Sequence, residues 1–150
     1  MLNQLILWAM LILPWGLLFF LDKERVSKFL PAGLLSGLLI TIIFQIYDRW
    51  DIVNVKETIF PLSNVPPATY GLYIVLPMFF LYISFGYFWF YFLLNLIGDL
   101  TYCFVFMEIY EHRGIFEIIK INHFGVFLIQ QFFSILIYLF QIWYMRLQKK

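Results

Sequence analysis

The 150 residues are 63% hydrophobic and only 13% charged, against about 45–50% and about 25% in a soluble domain, and the mean hydropathy is +0.87. The net charge of +1 and the lack of a basic run argue against nucleic acid as a partner. This composition predicts one polytopic membrane domain over residues 1–150, in the cell membrane, with the lipid bilayer as its principal partner and no cofactor.

In chain order, Leu2 to Leu21 is an apolar run close to the ~20 residues that cross ~30 Å of hydrocarbon. Basic residues follow this run rather than precede it, and no small-residue cleavage site appears, so the segment reads as a retained anchor. The stretch "DKERVSK", Asp22 to Lys28, reads as a charged connector. Phe29 to Tyr47 is a second span, with Ser27 as the expected cap and Pro31 in its first turn. Within it Gly33 and Gly37 make G-x-x-x-G beside Ala32 and Ser36. Such small-residue faces let helices approach closely, either inside one chain or between this chain and another membrane protein or a second copy. Asp48 to Thr69 is a loop closed by Pro66-Pro67, and its apolar residues, among them Ile52, Val53 and Ile59, would rest on the outer mouth of the bundle. His123 to Met145 is the last span.

Between them, Tyr70 to Met107 holds 38 residues with one charge, Asp99. As one helix it would reach about 57 Å at ~1.5 Å per residue, so it must break. A break in "ISFGY", at Gly86, gives five spans; a break in "NLIGD", Asn95 to Asp99, gives four. Five spans put Lys23, Arg25, Lys28, Arg146, Lys149 and Lys150 on one side and Arg49, Lys56, Arg113 and Lys120 on the other, whereas four spans split the charges evenly. The positive-inside rule then favours five spans, with the N-terminus outside and the C-terminus in the cytoplasm. The aromatic residues agree, with Trp15, Trp89 and Trp143 toward the inner interface and Tyr47, Trp50, Tyr70 and Tyr110 toward the outer. Insertion permits it too: an Asp at mid-helix costs about 2.5–3.5 kcal/mol, and each surrounding Leu, Ile, Phe or Val returns about 0.3–0.6 kcal/mol. The expected fold is an all-α transmembrane helix bundle of five spans, with four as the alternative.

On this reading Asp99 lies inside the membrane, where a carboxylate is a candidate functional group. Tyr91, Asn95, Asp99 and Tyr102 share one helical face. The last span carries its own polar stripe of His123, Gln130, Ser134, Tyr138 and Gln141, and no Lys or Arg lies inside any span. Asp99 therefore has no buried counter-ion and is expected to be protonated or bonded to amides and hydroxyls. Asp99, Asn95, Tyr102, Gln130, Ser134 and Gln141 are the candidate ligand-binding residues; the alternative is that they only join helices. A weaker candidate stands at the segment "MEIYEHRGIFEIIKINHF", where Glu108 and His112 share a face and His123 opens the next span, a donor set that suits a zinc-like ion. No H-E-x-x-H or nucleophile-elbow motif occurs, so an enzyme is not expected. The lone Cys103 reads as a small apolar helix residue.

The stretches "VPPATYGLYIVLPMFFLYISF" and "MEIYEHRGIFEIIKINHFGVFLI" resemble segments of a family of small uncharacterised polytopic membrane proteins from spore-forming Firmicutes. The likeness rests on Pro77 within the third span, on Glu108 ahead of Gly114, and on the Lys120–Asn122 turn before the last span. It covers about half the chain and implies a bacterial multi-pass protein. In place of the basic connector that the family often has between its third and fourth spans, this chain has "SFGYFW". The resemblance brings no activity and no site residue. The function expected from the sequence is binding or assembly in the membrane, or else a carrier or receptor for a small, mostly apolar ligand held among aromatic residues near Asp99.

Overall fold

The computed structural model describes residues 1–148. The chain folds into α1 (Leu2–Leu18), α2 (Lys23–Arg49), strand β1 (Val53–Val55), a 3-10 turn (Pro67–Thr69), α3 (Leu72–Ser84) and α4 (Phe88–Thr101). A π-helical turn (Tyr102–Phe106), α5 (Met107–His112), strand β2 (Phe116–Ile118) and α6 (His123–Gln148) complete it. Four segments are long and apolar enough to cross a membrane: α2, the 3-10 turn with α3, α4 through α5, and α6. Helix α1, 17 residues, adds about 26 Å of apolar rod. The chain is a multi-pass membrane protein built as an all-α bundle. Large apolar side chains such as Leu13, Ile97, Phe132 and Leu139 are exposed along its flanks, which suits lipid and not water.

The ambiguous apolar stretch breaks at Gly86, whose φ of 103° is a conformation that residues with a Cβ rarely adopt. Asn95 to Asp99 are helical. The break thus falls where the five-span reading put it and not at Asn95–Asp99; α1 is a shorter apolar helix than the four segments long enough to cross. Helix α2 begins earlier than expected, because Asp22 and not Ser27 is the cap: its side chain accepts a hydrogen bond from Glu24 N at 3.0 Å. Most of the charged connector is thus the first turn of a helix.

Each end of the bundle gathers specific charges. At one end Asn3 and Gln4 of α1 donate to Glu57 at 2.7 and 2.8 Å, and these bonds hold the Glu57 carboxyl below the usual range. There too β1 pairs antiparallel with β2, Val53 opposite Ile118, Lys56 bridges Glu117 at 2.7 Å and Lys120 donates to the Trp50 carbonyl. At the opposite end Arg25 stacks 4.6 Å over the Tyr82 ring, and Gln141 of α6 donates to the Lys28 carbonyl at 2.9 Å. This is the pairing of loops that five alternating spans require; Lys149 and Lys150 lie outside the described residues.

The loop before α3 does not stay at the mouth. Val65 and the four residues Pro66 to Thr69 are buried. A Cβ on Gly71 would fall within 3 Å of the Met10 and Leu11 carbonyls of α1, and Thr69 O lies against Gly37 of α2. Met10 is about 12 Å along α1 from Leu2, and Gly37 about 18 Å along α2 from Arg49. The 3-10 turn therefore sits near mid-bundle. Irregular backbone is tolerated at that depth only where protein surrounds it and its polar groups are satisfied. Tyr70 N and Gly71 N bond back to Pro67 O and Ala68 O, and Trp15 Nε1 donates to Tyr70 O at 3.0 Å. Trp15 and Tyr70, expected at opposite interfaces, therefore meet.

The small-residue face of α2 makes room for this. A Cβ on Gly33 would come within 2.5 Å of Met78 and 2.7 Å of Ile74 O, and one on Gly37 within 2.7 Å of Ile74. The glycine face packs on this chain's own α3, so a second chain could use it only by displacing α3. A matched glycine pair tests the re-entrant packing. Gly71→Ala should destabilise the protein by about 1–3 kcal/mol through overpacking against backbone. Gly16→Ala, with nothing within 4 Å, should be neutral or stabilise by up to about 1 kcal/mol. Thermal unfolding in detergent reads both.

Candidate functional site

The site grows from three helices. Along the α4–α5 rod the residues facing the bundle recur every fourth position: Tyr91, Asn95, Cys103 and Met107 are buried, and Asp99 between them is half-buried. Four residues of α-helix overshoot a turn by about 40°, so a strict spacing of four winds off the buried face. The π turn at Tyr102–Phe106 takes up that drift, as single wide turns do where a functional side chain must keep its aim. On α3, Pro77 lies inside the helix and, having no N–H, removes one of its hydrogen bonds. On α6, Gln130 and Gln131 are adjacent and both buried.

These elements bring together five of the six sequence-predicted residues. Asp99 Oδ2 accepts a hydrogen bond from Gln131 Nε2 at 2.6 Å. Gln130 Nε2 donates to the Tyr73 hydroxyl at 2.6 Å, while its Oε1 faces Cys103 Sγ at 3.3 Å. The Tyr91 hydroxyl donates to Ser134 O at 3.0 Å, Asn95 Nδ2 to Tyr91 O at 2.9 Å and Ser134 Oγ to Gln131 O at 2.8 Å. The Tyr102 ring meets Tyr73 edge-on at 5.5 Å. Among the described residues no Lys, Arg or His lies within ion-pair distance of Asp99. Gln131 Oε1, buried beside it, has no donor.

Gln141 does not belong to this group. It lies seven residues beyond Ser134, about 10 Å farther along α6, where its amide caps the Lys28 carbonyl. Three participants were not anticipated: Gln131, Tyr73 and Cys103. The signal for Gln131 was present, since every amide in a hydrocarbon-spanning helix needs a partner, and Asp99 was the acceptor without one.

Asp99 stands where two small spaces meet. One is a cleft of about 60 Å³ between α3 and α4, walled by Tyr73, Pro77, Phe80, Asn95, Gly98, Asp99 and Tyr102 together with Leu72 and Leu76. The other, of about 40 Å³, is bounded by Ser36 of α2 and by Gln130 and Ser134 of α6, and it shares Tyr73, Pro77, Asn95 and Asp99 with the cleft. Leu72, Leu76, Phe80 and Gly98 are only half-buried, so the cleft reaches the flank of the bundle. The spaces admit a few waters or a small polar group. A whole drug-sized ligand needs roughly 300–1,000 Å³.

The second predicted cluster is also rearranged. Glu108, Glu111 and His123 approach one another, while His112 stays at the edge, its Nδ1 3.8 Å from Glu108 Oε1. The same nitrogen meets the Glu108 carbonyl at 3.0 Å, because on a helix a short ring at i+4 reaches the backbone of its own previous turn.

The chain matches no protein-family model, no curated protein and no solved structure.

Substitutions at Asp99 separate an intramembrane carboxyl from a surface one. Asp99→Asn should fold and accumulate normally, since an amide keeps a hydrogen bond to Gln131. Asp99→Lys should accumulate poorly, because it places a cation at mid-membrane with no acid to pair. Detergent-extractable yield and size-exclusion profile measure both; normal yield of the Lys variant would contradict the placement.

Proposed function

We propose that the protein is an intramembrane binding protein that takes the polar head of a small amphiphile from the lipid phase. The observation that carries this reading is the position of Asp99, in the wall of a flank-opening cleft and of a second space that Ser36, Gln130 and Ser134 also line. The cleft walls are mostly apolar and aromatic, which suits a hydrocarbon tail lying between α3 and α4. The cleft offers the Asp99 carboxyl group. Its oxygens accept hydrogen bonds, so the matching head is a hydrogen-bond donor, an alcohol or an amine. An anionic head would meet Asp99 with no cation to balance it.

The volume limits the ligand: only the head enters, and the tail stays against lipid. This sharpens the expectation of a small, mostly apolar ligand near Asp99. A bacterial cell membrane as the location is part of the same proposal; what supports it is the likeness to multi-pass proteins of spore-forming bacteria.

Equilibrium binding of radiolabelled long-chain alcohol, amine and carboxylate of equal tail length to the purified protein in detergent is the test. The alcohol and amine should bind saturably and the carboxylate should not. Asp99→Leu should weaken the first two by about tenfold or more, the cost of about 1.4 kcal/mol of lost hydrogen bonding, while the protein keeps its fold. Absence of saturable binding by any of the three, or equal binding to the Leu variant, would contradict the proposal.

A further inference from the structure

At the sheet-covered end of the bundle, away from Asp99, Glu108 and Glu111 of α5 are one helical turn apart and His123 opens α6. Their ligating atoms all lie within 4.8 Å of one another. Glu111 is the best fixed. Its Oε1 accepts from the Ile118 backbone amide at 3.0 Å, and its Oε2 is 3.0 Å from His123 Nε2. Two donors on a tetrahedral zinc at about 2.0–2.1 Å stand about 3.3 Å apart. The Glu111–His123 pair is therefore already near the separation that a shared ion needs. Glu108 is exposed, and its side chain can close the remaining gap.

Charge points the same way. Glu117, the neighbouring acid, is matched by Lys56 at 2.7 Å. Among the described residues neither Glu108 nor Glu111 has a Lys or Arg within ion-pair distance; their nearest partners are imidazoles, His112 at 3.8 Å from Glu108 and His123 at 3.0 Å from Glu111. Two carboxylates held this close repel unless a cation lies between them. An imidazole nitrogen with two carboxylates suits a zinc-like transition ion better than calcium or magnesium, which prefer all-oxygen shells.

We propose that Glu108, Glu111 and His123 bind one divalent transition-metal ion of the zinc class, with water in the fourth position. The ion ties the end of α5 to the start of α6 and so braces the loop that carries β2. The backbone bond to Glu111 Oε1 orients that ligand, as outer partners do at metal sites.

Cobalt(II) serves as the probe, added to tag-free, chelator-stripped protein in detergent. One ion per chain should bind, with the visible absorption of a four-coordinate site, and zinc should displace it. Glu108→Gln and His123→Gln should each weaken uptake by at least about tenfold, whereas His112→Gln should leave it unchanged. Glu108 and His112 are both exposed, so these two variants separate ligation from folding. Zinc should also raise the thermal midpoint of the unsubstituted protein and not that of Glu111→Gln. No stoichiometric uptake by the unsubstituted protein, or uptake that survives Glu108→Gln but fails in His112→Gln, would overturn the site.

Discussion

Hydrocarbon offers no hydrogen-bond partner, so polar groups inside this bundle turn to one another, and buried Thr69 Oγ1, Gln131 Oε1 and Gln141 Oε1 are left without one. The arrangement of α4, α6 and the loop before α3 follows from that constraint. Gln131 turns to Asp99, Gln130 to Tyr73 and Cys103, and Asn95 to the Tyr91 carbonyl. The Trp15 indole closes the Tyr70 carbonyl where α3 starts halfway through the bundle. Individually such bonds contribute only about 0.6 kcal/mol. Together they fix which faces of the helices meet, because the alternatives leave amides bare in lipid.

Close backbone approach is the second requirement, and glycine meets it. Gly33 and Gly37 let α3 lie against α2, and Gly71 lets the 3-10 turn lie against the α1 backbone. The turn can then occupy protein-lined space at a depth where lipid would not accept it. Pro77 removes one hydrogen bond from α3, and a π turn follows α4. Between α3 and α4 lies the cleft that reaches Asp99.

Much of this was legible in the sequence, because length and hydropathy are strong signals in lipid. The 38-residue apolar stretch exceeded one bilayer crossing, and the loop charges favoured a break at Gly86 over one at Asn95–Asp99. The face of Tyr91, Asn95 and Asp99 followed from helical spacing. The rest depended on three-dimensional neighbours. The re-entrant turn was hidden because its residues, Pro66 to Thr69, are typical of surface loops; only the covering helices α1 and α2 permit them inside. The π turn carries no residue signature. Gln141 was grouped with Asp99 by its polar character, although its place on α6 puts it beside Lys28 at the far end. Glu111 was passed over for His112 because spacing alone does not tell that the imidazole folds back on its own helix.

The central claim is that Asp99 and Gln131 meet inside the membrane and hold α4 to α6. A double-mutant cycle measures it most directly: unfolding free energies of Asp99→Leu, Gln131→Leu and the double variant, in one detergent and at one pH. The account predicts that the double variant is less destabilised than the sum of the two, by about 0.6–1.7 kcal/mol, the range of bonds between membrane helices. Strict additivity would show that the two side chains do not interact, and would contradict both the bond and the site built on it.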